Sequence, residues 1–246
     1  MKSSSKTIKA RFGMLTPSSN TILEPVCASI LSQSPQISAH FSRFRVTEIS
    51  DRQTSKKQFN HHPMLEAASL LADAKMDVIC WNGTSASWLG IQQDIKLCNE
   101  ISELTGIKAT SAILAMKDAF EVFKIKKLGL VSPYISAIQN QIIENLHTEG
   151  FECVDERHAG ISNNFAFGLV SEERLAAMIR SVASAKPDVI VVLCTNLNAA
   201  RLSSELELEL KTMIFDSVAL SIWGSFRSLN IDPAEISNWG ELFSKS

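Results

Sequence analysis

The sequence has no motif for the common nucleotide cofactors and no segment that could anchor it in a membrane. Neither G-x-G-x-x-G nor G-x-x-x-x-G-K-[ST] occurs, so dinucleotide and nucleotide chemistry lack support. No apolar run approaches the roughly 18 residues that a membrane span needs. The opening MKSSSKTIKA is positively charged, but no apolar stretch follows it as in a secretory signal. We expect a cytoplasmic protein with no membrane partner.

An excess of charge of one sign is also missing. The 246 residues include 24 Lys and Arg against 26 Asp and Glu, a net charge of -2. A nucleic-acid-binding surface usually shows as a basic excess or stripe, and none is visible here. Histidine is sparse, and His61 and His62 are adjacent rather than four apart, which does not match a helical metal pair. The sequence therefore predicts neither a nucleic-acid partner nor a metal.

Cysteine is present without a pairing pattern. The five cysteines are odd in number, widely scattered and never spaced as C-x-x-C. Neither a disulfide framework nor a zinc ribbon is therefore indicated. Most such cysteines are small buried hydrophobic residues, and one with a chemical role must be singled out by its position. The five are Cys27, Cys80, Cys98, Cys153 and Cys194.

Short apolar runs alternate with helical patterns along the whole chain, which is typical of parallel α/β sheets. The polar loop Ser50–His62 has no clear pattern. The predicted strands are Ala10–Leu15, Ala39–Val46, Asp77–Trp81, Lys127–Val131, Phe151–Glu156 and Asp188–Leu193. The predicted helices are Asn20–Gln33, Pro63–Ala74, Ile91–Thr105, Ile113–Phe123, Ile135–Glu149, Glu172–Ala185 and Asp216–Leu229.

The chain also repeats itself. The segment AKMDVI at Ala74–Ile79 recurs as AKPDVI at Ala185–Ile190, an offset of 111 (185 − 74). Earlier in each half, Gly13–Ser18 resembles Gly129–Tyr134. Coincidence is the alternative, because A-K-x-D-V-I is a common entry to a parallel strand. Two matches in the same order favour duplication, and so predict two pseudo-symmetric Rossmann-like α/β lobes with parallel sheets and the active site in the cleft between them.

We place the first lobe at 1–118, joined by the C-terminal segment 230–246, and the second at 119–229, within one compact unit. Ligands of parallel α/β units collect at the carboxyl ends of the strands. The polar residues just past the matched strands are therefore candidates for one shared site. They are Thr16–Asn20, Gly83–Ser85, Ser132–Tyr134 and Cys194–Asn196.

The repeat separates Cys194 from Cys80. It aligns Cys194 with Gly83 at the strand-end turn, whereas Cys80 lies three residues back, about 10 Å inside its strand and on the opposite face. Cys80 is therefore predicted to pack in the core. A helix beginning at Asn196 would lower the pKa of Cys194 below the ordinary value of about 8.5. Cys194 is thus the predicted reactive thiol.

A family resemblance rests on the first strand-end turn. Thr16–Thr21, reading TPSSNT and followed by Glu24–Pro25, resembles the opening motif of maleate cis–trans isomerases. The whole layout is similar to the maleate isomerase and arylmalonate decarboxylase branch of the aspartate/glutamate racemase superfamily. The resemblance implies a site between two lobes, no metal or organic cofactor, and a small carboxylate substrate. It leaves the oligomeric state open, a homo-oligomer included.

The resemblance also implies roles for particular residues. Racemases and isomerases of this superfamily carry a cysteine at the equivalent turn of each lobe; here the second is Cys194, but the first falls on Gly83. Gly83–Ser85 instead resembles the decarboxylases, which keep only the second cysteine. Cys194 is thus the implied catalytic residue. The implied substrate contacts are Asn20, Gly83, Thr84, Ser85, Tyr134, Asn164 and Thr195, with Pro17, Ser18 and Asn196 as further candidates.

The implied activity is that of a cofactor-independent cysteine enzyme acting at the α-carbon or double bond of a small carboxylic or dicarboxylic acid. A maleate isomerase-like cis–trans isomerase is the leading expectation. A single-cysteine decarboxylase of the arylmalonate type and an amino-acid racemase are alternatives, and a carboxylate-binding protein without turnover is the non-enzyme alternative. Racemisation with two bases fits least well, because Gly83 aligns with Cys194.

Overall fold

The computed structural model describes residues 8–52, 55, 57–233 and 235–245, which form two four-stranded parallel sheets with the same strand order. The first has the order β2-β1-β3-β4 and the second β6-β5-β7-β8. The α/β class and the two Rossmann-like sheets are thereby confirmed. The strands are β1 (Ala10–Pro17), β2 (Ile37–Phe44), β3 (Val78–Trp81), β4 (Lys108–Ser111), β5 (Lys127–Ser132), β6 (Glu152–His158), β7 (Val189–Val192) and β8 (Met213–Asp216).

Helices flank both sheets, and the seven predicted helices are all present with ends shifted by a few residues. Three further short helices, at Ala86–Leu89, Asn164–Phe167 and Ser203–Leu210, were not predicted as separate elements. The helices are α1 (Leu23–Leu31), α2 (His61–Asp73), α3 (Ala86–Leu89), α4 (Ile91–Thr105), α5 (Ala112–Phe123), α6 (Ser136–Thr148), α7 (Asn164–Phe167), α8 (Glu172–Ala183), α9 (Ser203–Leu210) and α10 (Ser217–Ser228). Short 3₁₀ turns lie at Lys57–Phe59, Ala200–Leu202 and Glu241–Ser244.

Strand register confirms the duplication. Gly13 lies opposite Ile79 in the first sheet, and Gly129 lies opposite Ile190 in the second. The two sequence matches therefore occupy the same relative positions in both lobes. The central strands β3 and β7 are buried along their whole length, which explains their continuous apolar sequences.

The repeated A-K-x-D segment is a helix-to-strand connection. Lys75 and Lys186 both adopt left-handed backbone conformations, with φ of 56° and 54°. Two residues later, Asp77 accepts the Arg11 N–H at 2.7 Å, and Asp188 accepts the Lys127 N–H at 2.8 Å. Each aspartate thus ties the start of its strand to the neighbouring strand.

The helices that follow β4 and β8 pack against each other and connect the lobes. On α10, Gly224 fits closely, since a Cβ there would lie 2.5 Å from the Cβ of Ala115 on α5. Each helix also contacts the other sheet, through Phe226 against Phe12 at 5.1 Å and Phe123 against Phe215 at 5.2 Å. The expected boundary at 118/119 falls inside the continuous helix α5.

The edge strands β4 and β8 were not predicted, because, unlike the equally short β3 and β7, they are not apolar along their whole length. Asp216, predicted to begin a helix, ends β8, and its side chain accepts N–H groups from the first turn of α10. The C-terminal segment contacts both lobes: Ser237 donates to Gln33 at 2.8 Å, and Glu241 donates to Glu207 at 2.8 Å. Within the described ranges, the helices are too short or too polar to cross a membrane.

Candidate active site

The carboxyl ends of β1, β3, β5 and β7 enclose a small cavity of about 20 Å³ between the two lobes. Eight residues singled out from the sequence line it. They are Pro17, Gly83, Thr84, Ser85, Tyr134, Asn164, Cys194 and Thr195. The wall is completed by five apolar residues that sequence reasoning missed: Val46, Ile49, Phe59, Trp81 and Trp88.

Two cross-lobe hydrogen bonds hold the equivalent turns together. The Thr84 hydroxyl of the first lobe and the Tyr134 hydroxyl of the second lie 2.6 Å apart. In the mirrored place, the Asn20 side-chain amide of the first lobe donates to the Thr195 hydroxyl of the second at 3.1 Å. Thr84 and Thr195 are repeat partners, so the duplicated turns use the same hydroxyl in the same way.

Three predicted residues do not line the cavity but position those that do. Asn20 Nδ2 binds Thr195, and its Oδ1 accepts the N–H groups that lead into α1. Asn196 Oδ1 accepts the Thr21 N–H at 3.0 Å, and its Nδ2 donates to the Asn164 carbonyl at 2.6 Å. The Ser18 hydroxyl pairs with the backbone of Val46. We now expect these three to act through their neighbours.

The segment after β2 closes one side of the cavity. Glu48 and Asn163 form an isolated antiparallel bridge between the lobes. On either side of it, the Ile49 N–H donates to the Ser162 carbonyl at 2.8 Å and the Asn164 N–H donates to the Thr47 carbonyl at 3.0 Å. This pairing places the segment beside the cavity, whose wall includes Val46, Ile49 and Phe59. No local sequence pattern indicated this, because the partners lie more than a hundred residues away.

The cavity offers hydrogen-bond donors without charge. None of the described lining residues is acidic, basic or a histidine. Within the described chain, the backbone N–H groups of Thr84, Ser85 and Thr195 and the Ser85 hydroxyl have no hydrogen-bond partner. Buried donors normally find acceptors. Donors left open around one cavity suit the oxygens of a carboxylate or an enolate.

Cys194 sits among these donors and is 4% exposed. Its sulfur accepts the Asn196 N–H at 3.3 Å, and the Tyr134 hydroxyl is within hydrogen-bonding reach. Burial nevertheless raises the pKa of Cys194 to about 12, outweighing these donors. The expected lowering of this pKa is wrong for the free protein. The residues after Cys194 form turns rather than a helix, and the next α-helix begins only at Ser203.

Cys80 lies in the core, as predicted. It is fully buried on β3, and the hydroxyls of Ser221 and Ser225 on α10 contact it. Burial raises its pKa to about 12 as well. It is absent from the cavity wall. The two cysteines therefore differ in position rather than in acidity.

Gly83 is required by its neighbour Trp81. A Cβ at position 83 would lie 2.0 Å from Cζ2 of the Trp81 indole, which no real contact allows. Its φ is not in the left-handed region, so backbone conformation does not demand glycine. The ring of Trp81 is therefore the reason that position 83 has no room for a side chain. Trp81 and Trp88 lie on either side of the Gly83–Ser85 turn in the sequence, and this position could have identified both as cavity-lining residues.

No described group of three or more His, Cys, Asp and Glu side chains is arranged to hold a metal ion. Of the five histidines, three pair with glutamates: His61 with Glu100 at 2.6 Å, His158 with Glu156 at 2.8 Å and His62 with Glu66 at 3.7 Å. The reactive groups in the cavity are thus the Cys194 thiol, hydroxyls and amides.

Comparison with known proteins places these features in a family. A family model described as arylmalonate decarboxylase matches residues 21–243. A maleate isomerase from Geobacillus stearothermophilus is 24% identical, covering 95% of this chain and 97% of the relative, and one from Pseudomonas putida is 22% identical, covering 91% and 93%.

Solved structures share the fold. A maleate cis–trans isomerase mutant from Nocardia farcinica, with a covalently bound succinylcysteine intermediate, superposes with a TM-score of 0.89 at 22% identity, covering 96% of this chain and 99% of that chain. An arylmalonate decarboxylase gives 0.77 at 18% identity, covering 96% and 100%.

Proposed function

Since the chain belongs to the arylmalonate decarboxylase family, we propose that it is a cofactor-independent enzyme whose reacting group is the Cys194 thiol. The favoured reaction is cis–trans isomerisation of a small unsaturated dicarboxylic acid of the maleate type. One observation carries the proposal: Cys194 lies in a closed cavity between the lobes, surrounded by open donors from both. The full-length similarity to maleate isomerases supports this reaction.

Isomerisation by one thiol proceeds through a covalent adduct. The thiol gives its proton to water, and the sulfur forms a bond to one carbon of the C=C bond; the sulfur takes a proton back from water after the S–C bond breaks at the end of the reaction. The electron pair of that bond moves onto the adjacent carboxylate, giving an enediolate that the open N–H and O–H donors stabilise. The remaining C–C single bond rotates. The electron pair then returns, the S–C bond breaks, and the trans acid leaves.

A second candidate is decarboxylation of a substituted malonate, and a specific observation favours it. Burial keeps Cys194 a thiol at neutral pH, which suits a proton donor better than a nucleophile, and Gly83 removes any second thiol. The bond to one carboxylate breaks, CO₂ leaves, and the electron pair moves onto the other carboxylate. Cys194 then gives its proton to the α-carbon, and the thiolate recovers a proton from water.

The proposed roles of the other residues follow from their contacts. Tyr134, Thr84, Ser85, Thr195 and Asn164 line the cavity and would bind the carboxylate oxygens. Asn20, Asn196 and Ser18 would position them. The division into lobes 1–118 and 119–229, each supplying half of the site, is part of the same proposal, as is a cytoplasmic enzyme without a nucleic-acid partner.

The test is turnover by the purified protein of two substrates, followed by NMR. Maleate should be converted to fumarate if the favoured reaction is correct, and phenylmalonate to phenylacetate if the second is. Cys194→Ala should abolish either reaction. Binding of both acids without conversion of either would contradict an enzymatic role and leave the carboxylate-binding alternative.

A further inference from the structure

Trp81 and Gly83 form a pair that the second lobe lacks. In the repeat register, Trp81 aligns with Val192 and Gly83 with Cys194. A Cβ on Gly83 would lie 2.0 Å from Cζ2 and 2.4 Å from Cη2 of the Trp81 ring. The indole therefore fills the volume that any side chain at position 83 would need. That volume is the first-lobe counterpart of the place that the Cys194 thiol occupies.

The Trp81 ring is held firmly and still has an open polar atom. It is 1% exposed, and its ring lies 5.1 Å from the Phe44 ring. Its Nε1 is buried and finds no hydrogen-bond partner in the part of the chain that the structure describes. A buried indole N–H usually has an acceptor. Because Trp81 also lines the cavity, a bound ligand is the available source of one.

We infer that Trp81 is a specificity-determining residue that stands where a second thiol would act. Its indole forms the wall across the cavity from Cys194, and its N–H donates to a substrate oxygen. The substrate lies with the flat face of its sp² carbon against the indole, so the thiol reaches it from the other face alone. The substrate part of this inference rests on the proposed function, whereas the steric relation between Trp81 and position 83 does not.

The steric relation has a direct consequence for a first-lobe thiol. Gly83→Cys by itself has no room, since the atom that must give way is part of a packed ring rather than the end of a flexible chain. Trp81→Val reproduces the second-lobe residue and should create the room. The loss of stability caused by Gly83→Cys should therefore disappear when Trp81→Val is also present.

Four proteins test the steric relation by thermal unfolding: the wild type, Gly83→Cys, Trp81→Val and the double variant. Gly83→Cys should lower the Tm by roughly 4–10 °C in the wild-type background. In the Trp81→Val background the same change should leave the Tm unchanged or raise it. Trp88→Val is the matched control, because Trp88 also lines the cavity but packs on Phe59 and Tyr134; it should not relieve Gly83→Cys. Equal Tm losses in all backgrounds would overturn the inference.

Ligand binding tests the indole N–H without turnover. With Cys194→Ala as the parent, maleate and phenylmalonate binding is measured by calorimetry. Trp81→Phe, which keeps an aromatic wall but loses the N–H, should weaken binding of the accepted acid roughly tenfold. Trp223→Phe, which removes an indole N–H that is bonded to the Lys245 carbonyl away from the cavity, should change it less than twofold. Equal effects of the two substitutions would overturn the donor role of Trp81.

Stereochemistry tests the closed face with an α-methyl-substituted phenylmalonate in D₂O. If the protein decarboxylates, the wild type should give one enantiomer of the deuterated product, and Trp81→Val/Gly83→Cys should give both and racemise the product. A racemic product from the wild type, or racemisation by Gly83→Cys alone, would overturn the inference. Failure of every variant to convert either acid would count against the proposed function, while the Tm and binding results would still decide the role of Trp81.

Discussion

The two strand-end turns share a backbone plan and differ in chemistry. In the first lobe the turn reads Trp81–Asn82–Gly83–Thr84–Ser85, and in the second Val192–Leu193–Cys194–Thr195–Asn196. Both turns keep the threonine that bonds across to the other lobe. The first has a bulky ring beside a glycine, whereas the second has a small apolar residue beside a thiol. The two turns therefore have equivalent backbones, but only the second has room for a thiol, because the Trp81 ring occupies the corresponding space in the first.

The electrostatics of the site follow from the absence of charged residues among the described residues that line it. An uncharged cavity binds an acid by hydrogen bonds alone, and burial beside that cavity raises the pKa of the thiol and leaves it protonated. A dianionic substrate would then meet a neutral thiol rather than a thiolate. This spares the site a like-charge repulsion before reaction.

The largest expected effect comes from removing the second-lobe thiol. Cys194→Ala should lower kcat by about 10³-fold or more, because no other lining residue can exchange a proton near neutral pH or add to carbon. The measurement is turnover of whichever acid the wild type converts. Cys80→Ala is the matched control: it should lose some stability but keep kcat within about threefold. An active Cys194→Ala protein would break the assignment of chemistry to the second lobe.

The pH dependence separates the two ways in which that thiol can act. The pKa of Cys194 is raised to about 12, so the thiolate fraction grows about tenfold per pH unit from pH 6 to 9. A nucleophilic thiolate therefore predicts kcat/KM rising by about that factor per unit across this range. A proton-donating thiol predicts a flat profile there, with a decline only as the pH approaches the raised pKa. A maximum near neutral pH would contradict both forms.

The two cross-lobe hydrogen bonds should differ in what they support. Tyr134→Phe removes a hydroxyl in contact with both Thr84 and Cys194, so kcat/KM should fall by roughly 10- to 100-fold. Asn20→Ala removes the bond to Thr195 and the acceptor for the turn before α1, so it should cost about 2 kcal/mol of unfolding free energy. Urea unfolding and steady-state kinetics on both variants give the comparison. If Asn20→Ala lowered kcat/KM and Tyr134→Phe lowered only the unfolding free energy, Asn20 rather than Tyr134 would contact the substrate.

The smallest effect concerns the repeated aspartates far from the site. Asp188 accepts two backbone N–H groups, from Lys126 and Lys127, whereas Asp77 accepts one, from Arg11. Asp188→Ala should therefore cost about 1.5 kcal/mol and Asp77→Ala about 1 kcal/mol, both with unchanged kcat. Urea unfolding measures the difference. Equal losses would show that the second lobe gains nothing from the extra bond.

Some features of the site could be predicted because they depend on local sequence. The matched segments fixed the register of β3 and β7, and that register put Cys194 at a turn and Cys80 inside a strand. Strand ends in parallel α/β units meet at one edge, so Thr84 and Tyr134 could be expected near Cys194. These inferences need only the period of two along a strand and the order of elements.

Other features could not be predicted because distant residues decide them. The expected helix after Cys194 is absent, and the pKa that depended on it is raised instead of lowered by burial among residues of both lobes. The closing segment at Val46–Ile49 pairs with residues near Asn163, which lie more than a hundred residues away in the other lobe.

The sequence by itself determined two similar α/β halves, the turn that holds the thiol, and the absence of a second thiol at Gly83. Local periodicity and turn composition are enough to predict these features, because the same short sequence patterns occur in both halves. Only the tertiary structure decided how the site is closed, which hydroxyls meet across the lobes, and why Gly83 is a glycine. Asn20 and Thr195 are 175 residues apart, and the Trp81 ring turns back over its own strand end. Side-chain packing in three dimensions sets such contacts, and no pattern along the chain records it.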